Sequence, residues 1–192
     1  MSKNWRDAQQ EMLRAIEKDM LETAALTGRR ALSPAVHDAL RAVPRHKFVR
    51  PEDIALAYKN RPLPIGHGQT ISQPFIVALM SEFLDLPADA KTSANLLEIG
   101  AGCGYQSAVL AELAHDVAAI EIVTDIARAS KRRLKRLGYS NVSIRIGDGA
   151  LGWPERAPFD GIIVAAAAPK PPPALIAQLK PGAKLVIPIG PG

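Results

Sequence analysis

The sharpest chemical signal in the sequence is a glutamate followed by three glycines at alternate positions, in Leu97-Glu98-Ile99-Gly100-Ala101-Gly102-Cys103-Gly104-Tyr105. An apolar run leads into this loop and a helical pattern leads out of it. Glycines at such a junction let the backbone turn tightly and let a ligand press against it without meeting a Cβ. A dinucleotide fingerprint would need glycine at position 105, where this chain has Tyr105, and a phosphate-cradling P-loop would need Gly-Lys-Ser/Thr. Neither pattern fits. Two further carboxylates stand at comparable places. Glu121 ends the next apolar run, where an α/β nucleotide site puts an acceptor for ribose hydroxyls. Asp148 lies between Gly147 and Gly149 at the end of the third run. Each has a plainer reading, Glu121 as an exposed strand-end charge and Asp148 as a turn residue. Their joint placement at the carboxyl ends of successive strands, where open α/β sheets bind ligands, favours a shared site. Cys103 reads as a small filler, because no histidine base lies near it in sequence.

The elements that must position these groups follow from periodicity. From Ala94 onward, short apolar runs at Asn95 to Ile99, Val117 to Ile122, Val142 to Ile146, Gly161 to Ala165 and Lys184 to Ile189 suit strands buried on both faces. Between them, Tyr105 to Ala114, Asp125 to Leu137 and Pro171 to Leu179 suit crossover helices. Upstream, apolar residues at Met12, Ala15, Ile16, Met20 and Ala24 predict an amphipathic helix over Trp5 to Leu26, stopped by Gly28. Ser33-Pro34 opens a second helix ending before Pro44, and a third covers Pro74 to Leu84. Residues 45 to 73, broken by Pro51, Pro62, Pro64, Gly66 and Gly68, read as irregular. The expected organisation is a helical segment with a site loop over residues 1–90 and an α/β core over 91–192, together one compact domain.

With 47% apolar and 22% charged side chains, the 192 residues can bury one substantial core. The longest apolar stretches are too short to span a bilayer, and the first residues are polar with no signal core. A single cysteine permits no internal disulfide, so a reducing, cytoplasmic setting without membrane attachment is expected. The net charge of +5 is spread out apart from Lys131-Arg132-Arg133 and Lys135-Arg136. That cluster at a helix end reads as a solvated face complementing the helix dipole rather than a nucleic-acid surface. His37, His46, His67 and His115 share no ligand spacing, so no metal is expected.

The spacing E-x-G-x-G-x-G resembles the first motif of class I methyltransferases. The resemblance becomes specific upstream, in Val43-Pro44-Arg45-His46-Lys47-Phe48-Val49 and Leu63-Pro64-Ile65-Gly66-His67-Gly68-Gln69-Thr70-Ile71-Ser72-Gln73-Pro74. Together with Leu137-Gly138-Tyr139, Gly147-Asp148-Gly149, Gly152-Trp153-Pro154, Pro158-Phe159-Asp160 and Leu179-Lys180-Pro181-Gly182, these stretches are similar in order and spacing to protein-L-isoaspartate O-methyltransferases. The resemblance implies S-adenosyl-L-methionine as methyl donor, with S-adenosyl-L-homocysteine as product, and L-isoaspartyl proteins and peptides as partners. It implies that Thr70, Ile71, Glu98, Gly100, Gly102, Gly104, Glu121, Asp148 and Gly149 bind the donor and that Ser72 serves catalysis. A carboxyl group with an ordinary pKa near 4 is already ionised at neutral pH, so no strong general base is required. Ser72 would then orient the acceptor, and no Gly-x-Ser-x-Gly elbow surrounds it to suggest a nucleophile.

The fold class expected is therefore α/β, a Rossmann-like, doubly wound and mostly parallel sheet with an N-terminal helical segment, acting as a monomer. Ile122 and Ala165 depart from residues common in the family. The sequence ends shortly after the fifth expected strand, and the antiparallel C-terminal strands that the family would carry are expected to be absent. Two other functions suit the same residues: a methyltransferase of this fold with another acceptor, and a donor-binding but inactive regulator.

Overall fold

A computed structural model describes residues 5–190, so the outermost parts of the two expected segments, 1–4 and 191–192, lie outside the described residues. Helix α1 spans Trp5–Glu22 and turns Met12, Leu13, Ile16 and Met20 inward at helical spacing. It stops earlier than predicted. Thr23 donates its hydroxyl to the Asp19 carbonyl at 2.7 Å, and the chain restarts as the single turn α2, Ala24–Thr27, closed by Gly28 in the left-handed conformation. Helix α3, Pro34–Ala42, is capped by Ser33, whose hydroxyl accepts from Val36 N at 3.4 Å.

The stretch expected to be irregular instead holds two 3₁₀ turns and a hairpin. Strand β1, Leu63–Gly66, pairs antiparallel with β2, Gln69–Ile71, in register Leu63↔Ile71 and Pro64↔Thr70. The reversal runs through Gly66, His67 and Gly68, all with positive φ. Proline at position 64 and short strands hide this hairpin from a periodicity test. After it come α4, Pro74–Glu82, and the short α5, Ala90–Ser93.

The core then alternates strands and helices: β3, Asn95–Ile99; α6, Tyr105–Leu113; β4, Asp116–Glu121; α7, Thr124–Arg136; β5, Val142–Ile146; β6, Phe159–Val164; α8, Pro173–Ile176; and β7, Leu179–Val186. The strand order is β5-β4-β3-β6-β7, with every neighbouring pair parallel. Successive side chains face opposite ways, which divides the apolar residues into two layers. Leu96, Val117 and Ile163 face α1, α3, α4 and α6 in one cluster. Leu97, Ile99, Ala118, Ile120, Ile162 and Val164 pack on the other side with Leu175 of α8. The chain leaves edge strand β5 and returns beside β3 as β6, which opens a crevice at the carboxyl ends of those two central strands.

The expected fold class needs correction at the C-terminal end, where a strand pair was thought absent. A C-terminal pair, β6 and β7, lies within the sheet, and it runs parallel. The last strand begins at Leu179 rather than Lys184, because Pro181-Gly182 does not end it. A register shift, with Phe159 paired to Leu179 but Gly161 to Lys184, absorbs three extra residues, and Gly182 among them has φ +82. Lys180 clamps the pair by donating to Asp160 Oδ1 at 2.8 Å, while Asp160 Oδ2 also accepts from Asn95 N at 2.8 Å. One bridge, Ala168↔Ile189, continues the contact.

Gly161 lies in β6 where a Cβ would stand 2.8 Å from Leu84 Cδ2 and 3.2 Å from Leu96 Cδ2. Gly161→Ala is expected to cost roughly 1–3 kcal/mol through overpacking. Adding Leu84→Val, which removes the nearer clashing methyl, should recover part of the loss in urea unfolding; no recovery would mean that the backbone of β6 itself had shifted.

Candidate functional site

At the carboxyl ends of β3, β4 and β6 lies a cavity of about 420 Å³, roofed by the chain from Gln69 to Ser72. Of the predicted site residues, Thr70, Ile71, Ser72, Glu98, Gly100, Gly102, Glu121, Asp148 and Gly149 all line it. Gly104 does not. It sits just behind the wall with φ +85, and a Cβ there would stand 3.1 Å from Leu134 Cδ1. Its role is close packing of α6 against α7 at the start of the helix. Gly149 does line the cavity, but a Cβ on it would come within 2.1 Å of Ile99 Cγ2, so packing alone demands glycine.

The glycine loop is held from two sides. On the cavity side, Glu121 Oε2 accepts from Gly102 N at 2.8 Å while Oε1 accepts from Val123 N at 2.9 Å. Two backbone donors on one carboxylate fix its orientation and leave further lone pairs facing the cavity. On the far side, the Gly102 carbonyl accepts from Ser130 Oγ, and the Cys103 carbonyl accepts from Arg133 Nη1 at 2.8 Å. Arg133 belongs to the cationic run that reads as a solvated face, yet it is committed to the loop. Ser130 and Arg133 were missed in the sequence; their i, i+3 spacing on α7 is the only signal that pairs them.

Glu98 is the penultimate residue of the central strand β3 and is completely buried. Its Oε2 accepts from the hydroxyl of Ser107 one turn into α6, and its Oε1 has no hydrogen-bond partner among the described residues. Burial, with a smaller push from nearby Glu121, raises the carboxyl to about 8, while the Ser107 hydrogen bond acts the other way. A buried carboxyl oxygen left unpaired on a cavity wall suits a cationic or N–H donor group of a ligand.

Asp148 is exposed on the cavity rim, and its Oδ1 accepts from Ala150 N at 2.9 Å. The plainer turn-residue reading therefore holds for one oxygen, which also fixes where the carboxylate points. Ile122 and the run Ala165 to Ala168 add an apolar border. Cys103 is buried in the loop, and burial pushes its thiol up, away from the thiolate needed for nucleophilic use. Among the described residues, no three or more His, Cys, Asp or Glu side chains gather as a metal site, and no helix is long and apolar enough to cross a membrane.

Ser72 is half-buried at the cavity edge, and its carbonyl accepts from Arg45 Nη2 at 2.8 Å. Arg45 also went unread as a site residue, although it stands in the first stretch that carries the family resemblance.

The profile of the protein-L-isoaspartate(D-aspartate) O-methyltransferase family matches residues 16–192. A protein-L-isoaspartate O-methyltransferase 2 from Syntrophobacter fumaroxidans is 51% identical over 95% of this chain and 72% of its own length. A protein-L-isoaspartate O-methyltransferase from Dictyoglomus turgidum is 55% identical over 82% of this chain and 70% of its own. Among solved structures, a protein-L-isoaspartate O-methyltransferase superposes with TM-score 0.79 at 28% identity, covering 94% of this chain and 55% of that one. A putative relative from Plasmodium falciparum, in complex with S-adenosyl-L-homocysteine, superposes with TM-score 0.73 at 27% identity over 91% of this chain and 84% of that one.

The raised Glu98 carboxyl gives a signed pH dependence. Its folded-state value of about 8 lies above the ordinary 4.5, so between those values the unfolded chain has released a proton that the folded chain keeps. Stability of the ligand-free protein is expected to fall as pH rises through that window and then level off. Glu98→Gln should remove this part of the slope in denaturant midpoints measured from pH 5 to pH 8.5; identical slopes in both proteins would show that Glu98 ionises normally in the fold.

Proposed function

This chain belongs to the protein-L-isoaspartate(D-aspartate) O-methyltransferase family, and from that premise we infer that it transfers a methyl group from S-adenosyl-L-methionine to the carboxylate of L-isoaspartyl residues in damaged proteins and peptides. The observation that carries the reading at the level of this chain is the buried, unpaired Glu98 oxygen on the cavity wall. An ammonium-bearing ligand satisfies it, and the amino-acid end of the donor carries one. The donor supplies an electrophilic methyl on a positively charged sulfur.

Each residue has a role consistent with its placement. Gly100 and Gly102 let the main chain lie against the donor, and Glu121, already oriented by two backbone N–H groups, accepts from ribose hydroxyls. Asp148 and Gly149 border the adenine end, and Thr70 and Ile71 cover the donor from above. Three carboxyls in one cavity, those of Glu98, Glu121 and Asp148, also favour a cationic donor.

Ser72 stands at the cavity edge where an acceptor would enter, and its hydroxyl donates to one oxygen of the isoaspartyl carboxylate, leaving the other to attack. The acceptor is an anion at neutral pH, so the chain need not remove a proton. Catalysis rests on in-line placement and on stripping water from an anion that meets a cation, for which buried Ile71, Val77 and Leu175 provide dry walls. The resulting methyl ester is a better electrophile than the carboxylate, so the next backbone nitrogen attacks its carbonyl and expels methanol, closing a succinimide that water reopens in part as normal aspartate. A cytoplasmic setting belongs to the same reading, supported by a single, buried cysteine. A monomer suffices, because every group named is on one chain, and nucleic acid has no role in the reaction.

Transfer of labelled methyl to an isoaspartyl peptide, beside the matching aspartyl peptide, tests the reaction. Base-labile label on the isoaspartyl peptide alone is expected, and Ser72→Ala should slow it roughly 10- to 100-fold, the effect of one hydrogen bond to a charged group. Label on neither peptide, with the donor bound, would overturn the assignment of acceptor.

Donor binding has its own signature. An ammonium beside Glu98 favours the ionised carboxylate, so binding near pH 7 should release up to about one proton. Calorimetry in buffers of different ionisation enthalpy measures this release, and Glu98→Gln should abolish it; equal release by the variant would remove Glu98 from the donor site.

A further inference from the structure

We propose that Arg45 is the positioning residue that holds the acceptor side of the site in register with the donor side, acting through the Ser72 main chain and the Tyr105 ring; the proposal rests on the reading above. Arg45 is a fully buried cation between α3 and the hairpin, and no carboxylate pairs with it among the described residues. Its contacts are of another kind. Nε donates to the Ala57 carbonyl at 2.9 Å and Nη2 to the Ser72 carbonyl at 2.8 Å. Its guanidinium carbon lies 4.7 Å from the centroid of Tyr105, the first residue of α6 after the glycine loop.

One planar group thus joins three segments distant in sequence: the chain after the second 3₁₀ turn, the Thr70–Ser72 stretch, and the start of α6. Phe48 supports the arrangement by meeting the Tyr105 ring edge-on, with centroids 5.5 Å apart. Burying a cation without a counter-charge is costly, and burial pushes the guanidinium below its ordinary value. An apolar residue would fill the space at less cost. What it could not do is fix two carbonyls in one plane while stacking on a ring, and lysine, with one compact ammonium, could not either. The hairpin β1–β2 belongs to a separate two-stranded sheet, so no ladder to the main sheet fixes the height of Ser72 above the glycine loop. Arg45 supplies that fixed distance.

The test uses the full chain with Arg45→Lys and Arg45→Met, and Leu113→Ala as a core variant remote from the site. Three quantities are read: amide exchange across residues 69–73 against residues 95–99, donor affinity, and the initial rate with an isoaspartyl peptide. Arg45→Lys should speed exchange in 69–73 by about tenfold while 95–99 stays protected, as expected for losing one anchoring hydrogen bond. It should lower kcat by about 10²-fold, the scale of a 1 Å misplacement, with donor affinity retained. Arg45→Met should do both at least as strongly. Leu113→Ala should raise exchange everywhere in proportion to its lost stability and leave kcat per folded molecule intact. Wild-type exchange and kcat in Arg45→Lys would overturn the proposal, as would exchange raised equally across residues 69–73 and 95–99 in the manner of Leu113→Ala. A wild-type chain that binds the donor but does not label the peptide would refute the acceptor reading, and the exchange comparison would still decide the role of Arg45.

Discussion

The grip of Glu121 on the Gly102 and Val123 N–H groups is the constraint on which the site depends. It ties the end of β4 to the loop after β3 and to the start of α7, three segments that must agree for any ligand to fit. Ser130 and Arg133 of α7 complete the hold from behind by donating to the loop carbonyls of Gly102 and Cys103. With its amides and carbonyls both engaged, the loop has little freedom left, and its positive-φ glycines are kept where they were placed on folding. Preorganisation of this kind lets a ligand bind without first ordering the chain around it.

Glu98 is set against that rigid frame with one buried oxygen unsatisfied, as are Arg45 Nη1 and Tyr105 Oη among the described residues. A carboxyl that would be ionised in water is held near neutrality by burial, one oxygen served by Ser107 and the other exposed only to the cavity. The same burial that weakens the empty fold sharpens the response to a cation. A costly burial and an unpaired acceptor on the cavity wall therefore trace to one side chain, the usual pattern where a local rule of folding is broken.

Much of this was legible in the sequence, and the parts that were not have physical reasons. Strands β3 and β5 fall on the predicted residues because continuous apolar runs bounded by polar turns leave little choice. The carboxylates at 98, 121 and 148 were found because a parallel sheet delivers the ends of successive strands to one place. The hairpin at residues 63–71 escaped because its pairing depends on three positive-φ residues rather than on alternation. Strand β7 was misplaced because Pro181 and Gly182 read as a break, whereas a register shift accommodates them. Arg45, Ser107, Ser130 and Arg133 act through main-chain carbonyls or one buried carboxyl, contacts that leave no periodic trace. Gly104 and Gly149 were assigned to the ligand, yet packing also explains both: a Cβ at Gly149 would collide with Ile99, and one at Gly104, at positive φ, would crowd Leu134.

The Ser72 segment is anchored by its backbone, since the one long-range bond that reaches it from Arg45 ends on a carbonyl and not on a side chain. A carbonyl is present whatever residue occupies the position. The hold of Arg45 is thus indifferent to the side chain at position 72, which can change by substitution without relocation, whereas buried Ile71 beside it is fixed by packing. The side chain at position 72 is an exchangeable fitting on a fixed bracket, while the glycine loop beneath it stays locked.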